Sequence, residues 1–334
     1  MRNRLLLALP ALPLLLAAGF WPPPAGLTNY DSARWIDSGL NHEIHGDLAA
    51  AERDLLEAAR VDRLFQPRWT LAGFYFRRND PGKFWNWTRE ALAVGRRDLG
   101  ALFDLCWKMP DASERIWVAV MPDSKPVWNQ YLYYLTDTGK WPAAAGTARR
   151  LANVADPSDK AMLVNYCDLA LAHGDRAGAS AAWNSLRQRG ILPFPAGAIL
   201  TNGDFSVFPS GRCFDWRSPA VNLASPFHKG EAGFTLGGFQ HDREVLLEQP
   251  LALDPSLNYL LEFEYKTAGL SANSGIRWQA GSKNSDGFAA SVWSRGEFPF
   301  SGASASLALI YERPNGSTTA VGTVTIRSVS VVAK

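Results

Sequence analysis

Glu262 and Glu264 stand two residues apart in the run LEFEYK, on one side of an extended chain whose side chains alternate. Two carboxylates placed either side of a bond are what glycoside hydrolysis requires, one to give a proton and one to attack or to activate water. The same spacing is also that of a solvated strand face. His42 and His45, in HEIH, lie three apart on one helical face, but two imidazoles without a third ligand hold a metal weakly, and HExxH is absent. There is no GxSxG elbow, no Walker loop and no GxGxxG after a strand. Cys106, Cys167 and Cys213 show no Cys/His ligand spacing; they are expected to be three small buried hydrophobes, the alternative being a pairing of Cys106 with Cys167 in an oxidising compartment that leaves Cys213 over. No catalytic residue, metal or cofactor is expected.

The elements that would position such groups come in two kinds. The chain has 334 residues, 47% of them hydrophobic and 12% aromatic, enough for two cores. Thirty-four basic against 32 acidic residues leave a net charge of +2, which argues against nucleic acid as the partner, since phosphate neutralisation needs a clustered basic face. Thirteen tryptophans need burial or a ligand.

At the N-terminus Arg2 and Arg4 precede an apolar run from Leu5 to Trp21, closed by Pro22, Pro23 and Pro24. Residues 1–26 read as a secretory signal peptide or a retained N-terminal membrane anchor, with positive charge holding that end in the cytoplasm and sending the remainder outward. The expected location is exported, periplasmic or inner-membrane anchored facing the periplasm, with membrane contact through this segment alone.

Residues 27–190 carry helical periodicity. Trp35 and Gly39 recur 34 residues later as Trp69 and Gly73, in WIDSGLNH and WTLAGFYF. Further units run from Trp128 to Leu151 and from Leu163 to Leu186, with turns at Gly139 and His173-Gly174-Asp175, and a shortened unit spans Leu99 to Pro122. Trp followed by a small residue four places on resembles the first-helix signature of the tetratricopeptide repeat. The resemblance implies helix pairs stacked into an α-solenoid with one concave face; a generic antiparallel helical array is the alternative. It implies a groove for a protein partner, with His42, Phe76, Tyr131 and Leu135 as candidate lining residues.

Arg189-Gly190, Pro193 and Pro195 end the helical pattern and mark 191–198 as a stiff linker. From 199 to 334 the period changes to two. Strands are expected at Phe234 to Phe239, Glu244 to Glu248, Leu260 to Lys266, Gly275 to Ala280, Phe288 to Trp293, Ser304 to Glu312 and Thr319 to Val332, giving an antiparallel β-sandwich of jelly-roll type. The opening Asn202-Gly203-Asp204-Phe205, the pair Phe214 and Trp216, and the closing Gly322, Val324 and Ile326 resemble the jelly-roll carbohydrate-binding modules and the wider galactose-binding-like group. The group often holds calcium through Asp on its last strand, where this chain reads Ile326-Arg327-Ser328, so no ion is expected there.

Such modules hold a sugar by aromatic stacking and a few hydrogen-bonding side chains. The resemblance therefore nominates Trp216, Trp278 and Trp293, with Arg277, Gln279, Glu262 and Glu264, as carbohydrate-binding candidates. Trp293, beside Ser294-Arg295-Gly296, is the one expected at a rim; strand alternation turns Trp278 inward with Leu261, Phe263 and Ile276. The sequence thus reads as a non-catalytic adaptor of a bacterial envelope, its helices taking a protein partner and its sandwich contacting polysaccharide. One alternative is a purely structural component of a secretion or exopolysaccharide-assembly complex; another is a glycan-acting hydrolase.

Overall fold

The computed structural model describes residues 31–334 apart from 97, 221, 225–227 and 229. The segment expected to target or anchor the chain lies outside the described residues, among which no helix is long and apolar enough to cross a membrane.

Helices come first, in antiparallel pairs: α1 (Ser32–Ile44) with α2 (Leu48–Val61), α3 (Phe65–Arg77) with α4 (Pro81–Val94), α7 (Lys125–Asp137) with α8 (Trp141–Asn153), and α9 (Lys160–His173) with α10 (Arg176–Gln188). Between the second and third pairs lie α5 (Gly100–Trp107), the single turn α6 (Ala112–Arg115) and a π-helical turn at Ile116–Val120, where the sequence has its shortened unit. The inter-helix turns work because Asp47, Asp80 and Asp175 each accept a backbone N–H of the helix that follows, a donor with no partner inside the helix. Gly39 has a packing cause: a Cβ there would lie 2.7 Å from Leu55 Cγ on α2. Gly73 has no such neighbour, its nearest contact being the flexible end of Arg77 at 3.2 Å.

The 34-residue spacing reappears in three dimensions. Arg77 binds Glu43 (2.8 and 2.7 Å), Lys125 binds Asp159 (2.7 Å), Gln130 donates to the Arg96 carbonyl (3.1 Å) and Arg189 to that of Ala155 (2.8 Å), each pair 34 apart. Helix pairs that repeat in space bring equivalent positions into register at the repeat length.

Contacts divide the chain into two compact units, one of residues up to Gly95 together with Arg115–Pro122, the other of Arg96–Glu114 together with Asp123–Lys334. The first holds α1 to α4. The second holds α5, α7 to α10 and every described strand, so the change of rhythm near residue 200 is not a gap between units. Residues 191–198 are packed rather than free: Leu192 and Phe194 are buried, the Phe194 ring lies 6.1 Å from that of Trp183, and Arg187 donates to the carbonyls of Pro195 and Ala198.

The sandwich has two four-stranded antiparallel sheets. Sheet I runs in the order β1 (Ala232–Gly237), β8 (Val321–Ala333), β3 (Asn258–Ala268), β6 (Ser294–Ser301); sheet II runs β2 (Arg243–Pro250), β7 (Ser306–Glu312), β4 (Ile276–Ala280), β5 (Lys283–Asn284). Their inner faces enclose Phe234, Leu261, Phe263, Trp278, Phe298, Leu309 and Ile326. The strand expected at Phe288 to Trp293 is instead β6, six residues later. Pro299 hides it in the sequence, and an edge position tolerates the missing N–H. Phe288 is buried from a loop, stacked 4.4 Å from Tyr265.

The segment 200–216 closes the open end of this core without regular structure. Asp215 is fully buried, and its carboxylate accepts from the N–H of Ser210 (2.7 Å), the hydroxyl of Ser210 (2.7 Å), the N–H of Trp216 (2.8 Å) and the amide of Asn202 (3.4 Å). Gly203 meets β8 edge on: its carbonyl accepts from Val329 N–H (2.7 Å), and a Cβ on it would lie 1.9 Å from the Val329 carbonyl oxygen. The Asn202-Gly203-Asp204-Phe205 motif is therefore a backbone clasp on the last strand. Asp204 accepts the Ser206 N–H (3.2 Å), and among the described residues no three His, Cys, Asp or Glu side chains gather as a metal site would need.

Candidate functional site

The outer face of sheet I collects three of the nominated residues. Register places Glu264 of β3 between Arg327 of β8 and Arg295 of β6, and both guanidinium groups reach it, at 2.8 and 3.2 Å. Arg327, and then Arg295, hold its carboxyl below the usual carboxylate range. The pairing slips by one residue between Glu262 and Glu264, with Ser328 in the left-handed region at φ 54°, a bulge on β8. That extra residue lets Arg327 and Ser330 both face outward while Ile326 and Val329 stay in the core. The half-buried Trp293 lies under two cations, Arg327 at 4.0 Å and Lys266 at 4.5 Å from its ring. Glu262, Glu264, Arg295, Glu297, Ser328 and Ser330 border a shallow depression of about 290 Å³. Trp293, Glu262 and Glu264 do lie on one face, but Arg327 engages both the ring and Glu264, and Glu262 accepts the Ser330 hydroxyl (3.4 Å).

The other nominated residues go elsewhere. Trp216 and Trp278 are both 0% exposed, their rings 6.0 Å apart in the core, so neither can stack on a sugar. Trp278 alternates inward with Ile276 and Ala280, and the Trp216 indole N–H is used on the Asn202 carbonyl (3.0 Å). Arg277 and Gln279 lie on sheet II, where Arg277 pairs with Glu312 and Gln279 bonds Arg243 (2.8 Å) and Asn284 (3.1 Å). They cannot share a site with Glu262 and Glu264 on the outer face of sheet I.

The helical nominations divide in the same way. Tyr131 and Leu135 are 0% exposed, and burial pushes the Tyr131 phenol up; they are packing between helices, not a groove lining. Phe76 is half-buried with its ring 5.8 Å from Phe84. His42 Nδ1 lies 3.1 Å from Asp54, whereas His45 Nδ1 returns to the Asn41 carbonyl at 2.8 Å, so the HEIH imidazoles do not converge.

A site that the sequence did not point to lies where the chain crosses from sheet I to sheet II. The connection from β1 to β2 is braced at both ends. Gln240 accepts the Gly238 N–H (3.0 Å) and donates to the Ala320 carbonyl (2.7 Å), while Arg313 bonds Asp242 through its backbone N–H (2.7 Å) and its guanidinium (2.9 Å). On this fixed turn Phe239 is 99% exposed. Facing the turn are residues 217–220 and 222–224, tied to β2 by Arg217 and Glu248 and to β1 by the Thr235 N–H on the Leu223 carbonyl (2.8 Å). Between them is a cleft of about 640 Å³, lined by Pro219, Asn222 and Leu223 on one side, Phe239, Gln240 and His241 on the other, with Glu244 and Thr235. The backbone N–H of His241 is bonded to Glu244 Oε1 (3.3 Å), which orients that carboxylate. An uncovered aromatic ring beside an amide, an imidazole and a carboxylate can take a ring-shaped ligand with one apolar face and hydroxyls at its edge. Glu244 supplies a carboxylate among the described lining residues.

FTLGGF reads as one short strand running to Phe239, although alternation from the buried Phe234 and Leu236 already sets Phe239 on the opposite face. β1 stops at Gly237, and a bulky apolar residue inside a turn of Gly, Gln, His and Asp is the signal that was present.

No protein-family profile matches the chain, and no curated protein matches it. Among the solved structures that it matches is one described as "CBM4 structure and function", with a TM-score of 0.28 and 15% identity, covering 40% of this chain and 99% of that one. A likeness of that size carries no argument about ligand. The class is defined by the coordinates: paired helices followed by an antiparallel two-sheet sandwich.

Proposed function

We propose that the chain is a non-catalytic envelope adaptor whose β-sandwich binds polysaccharide in the cleft beside the β1–β2 turn, a sugar ring stacking on Phe239 and its hydroxyls bonding Asn222, His241 and Glu244. The observation that carries this reading is the 99% exposed Phe239 ring, held on a braced turn above a cleft of about 640 Å³ with polar walls. An exposed ring offers a flat apolar face to a ligand, and a turn with its hydrogen bonds already made loses little entropy on binding. Trp293 supports the sheet instead, its ring already under Arg327 and Lys266.

The helical pairs take a protein partner in this reading, in the manner of tetratricopeptide repeats. The contacts at 34-residue spacing support the repeat, and exposed Ile44, Leu64 and Val118 supply apolar surface for a partner. The N-terminal apolar run takes the protein out of the cytoplasm and leaves it in, or facing, the periplasm. The test is binding of the exported chain to a panel of soluble and insoluble glycans, with Phe239→Ala alongside the native protein. Retention of the native protein and loss in the variant is the expected result; no retention on any glycan removes the sugar half.

A second reading, a structural component of an assembly complex, is favoured by one observation. A separate cavity of about 460 Å³ in the second unit has an apolar wall of Val164, Trp183, Leu192, Phe194, Val207 and Phe208, with Lys160 and Arg212 also among its lining, a mixture suited to a protein surface. Native protein that binds no glycan and loses its partner on Phe208→Ser would establish it.

A further inference from the structure

Two of the three cysteines come together, Cys167 and Cys213. Cys167 lies on the buried side of α9 and Cys213 in the segment that closes the sandwich, and neither has exposed surface. Asp168, the next residue to Cys167, accepts the backbone N–H of Cys213 at 2.6 Å and pairs with the guanidinium of Arg212. Between these anchors the backbone at Cys213 is held in the left-handed region, φ 45°, a conformation that a non-glycine residue adopts only when its surroundings impose it. This brings the Cys213 side chain to the turn of α9 that carries Cys167, whose thiol donates to the Ala179 carbonyl (3.4 Å) and interacts with that of Cys213. Burial, and then the neighbouring Cys167 thiol, push the Cys213 thiol well above its ordinary range. Cys106, on α5, contributes nothing to this pair.

We propose that Cys167 and Cys213 are a covalent modification site, joined as a disulfide when the chain folds in an oxidising compartment. The oxidant is a small or protein disulfide, RSSR. A thiolate of one cysteine attacks a sulfur of RSSR and releases one RSH; the second cysteine then attacks the mixed disulfide, releases the second RSH and leaves the Cys167–Cys213 bond. Two protein thiols and one RSSR give one protein disulfide and two RSH, with no electron or proton unaccounted for. Exchange takes place before the segment 200–216 settles over α9, because both sulfurs are out of contact with solvent afterwards. The bond ties the last helix pair to the loop that closes the sandwich, adding to the Asp168 hydrogen bond and ion pair and to the Trp183 indole N–H on the Thr201 hydroxyl (3.2 Å), and burial then shields it from soluble reductant.

The experiment uses the full chain. It is unfolded with reductant, refolded in a mixture of reduced and oxidised glutathione, blocked with an alkylating reagent under denaturing conditions, and digested without reduction for peptide mass mapping. The expected map has one cross-linked peptide pair containing Cys167 and Cys213, with Cys106 alkylated, and Cys106→Ser gives the same pair. A map with all three cysteines alkylated, or with Cys106 in the cross-link, overturns the assignment. Because the native sequence itself is mapped, folding of a variant does not decide the outcome.

Discussion

Replacing Asp215 with alanine removes the acceptor that organises the segment 200–216. Its carboxylate has no exposed surface and accepts four hydrogen bonds, three of them between 2.7 and 2.8 Å. The Ser210 hydroxyl can turn elsewhere, and the Asn202 amide already donates to the Val207 carbonyl at 2.8 Å. The backbone N–H groups of Ser210 and Trp216 cannot reorient without undoing the loop. A buried donor left without a partner costs about 1–3 kcal/mol, so the two N–H groups alone predict a loss of roughly 2–6 kcal/mol. Denaturant titration followed by tryptophan fluorescence suits the question, because Trp216 is adjacent to the lost acceptor and packs 6.0 Å from Trp278. The transition reporting on these rings is expected to move down by about 1–2 M urea. Asp215→Asn, which retains one oxygen, should lose less. An alanine variant within about 0.5 kcal/mol of the native protein would refute the view that this carboxylate holds the segment in place.

Other substitutions probe the same structure. Gly203→Ala places a Cβ 1.9 Å from the Val329 carbonyl oxygen, backbone against backbone, and should lower stability by about 2 kcal/mol or more in thermal unfolding; a neutral result would contradict the clasp on β8. Trp278→Ala empties the middle of the sandwich and should cost about 3–5 kcal/mol, measured in the same titration. Glu264 is held below the ordinary carboxylate range by Arg327 and Arg295, so the stability it adds is present above that range and lost as pH falls through its lowered folded value. The Tm difference between native protein and Glu264→Gln should therefore shrink as pH is taken below the carboxylate range; a difference constant with pH would contradict the pairing.

The helical pairs were legible because their punctuation is local. Gly46, Asp80-Pro81-Gly82 and Gly174-Asp175 make turns by capping chemistry that depends on a few neighbours, and the observed helices end there. Alternation in Leu260 to Lys266 likewise announced β3 and the inward side of Phe263. Long-range pairing left weaker traces. Pro299 disguised β6, and only the register of β3 against β8 and β6 shows that Glu264 is shared by two arginines. Glu262 and Arg277 each face outward, but which sheet a strand joins is set by topology, and alternation says nothing of it. Trp216 and Trp278 were nominated by residue type, although burial is the commoner use of a large ring. Phe239 was missed for the converse reason: two glycines made its segment look like the end of a strand, and exposure is decided by where the chain crosses between sheets. The Cys167–Cys213 meeting depends on a segment without regular structure and could not be read from spacing.

The central claim is that the cleft under Phe239 recognises polysaccharide, and affinity electrophoresis of the full chain through gels containing candidate glycans tests it most directly. The account predicts that at least one glycan retards the native protein and Trp293→Ala alike, while Phe239→Ala runs unretarded with its thermal stability within about 0.5 kcal/mol of native. Retardation that survives Phe239→Ala, or that is abolished by Trp293→Ala alone, would contradict it.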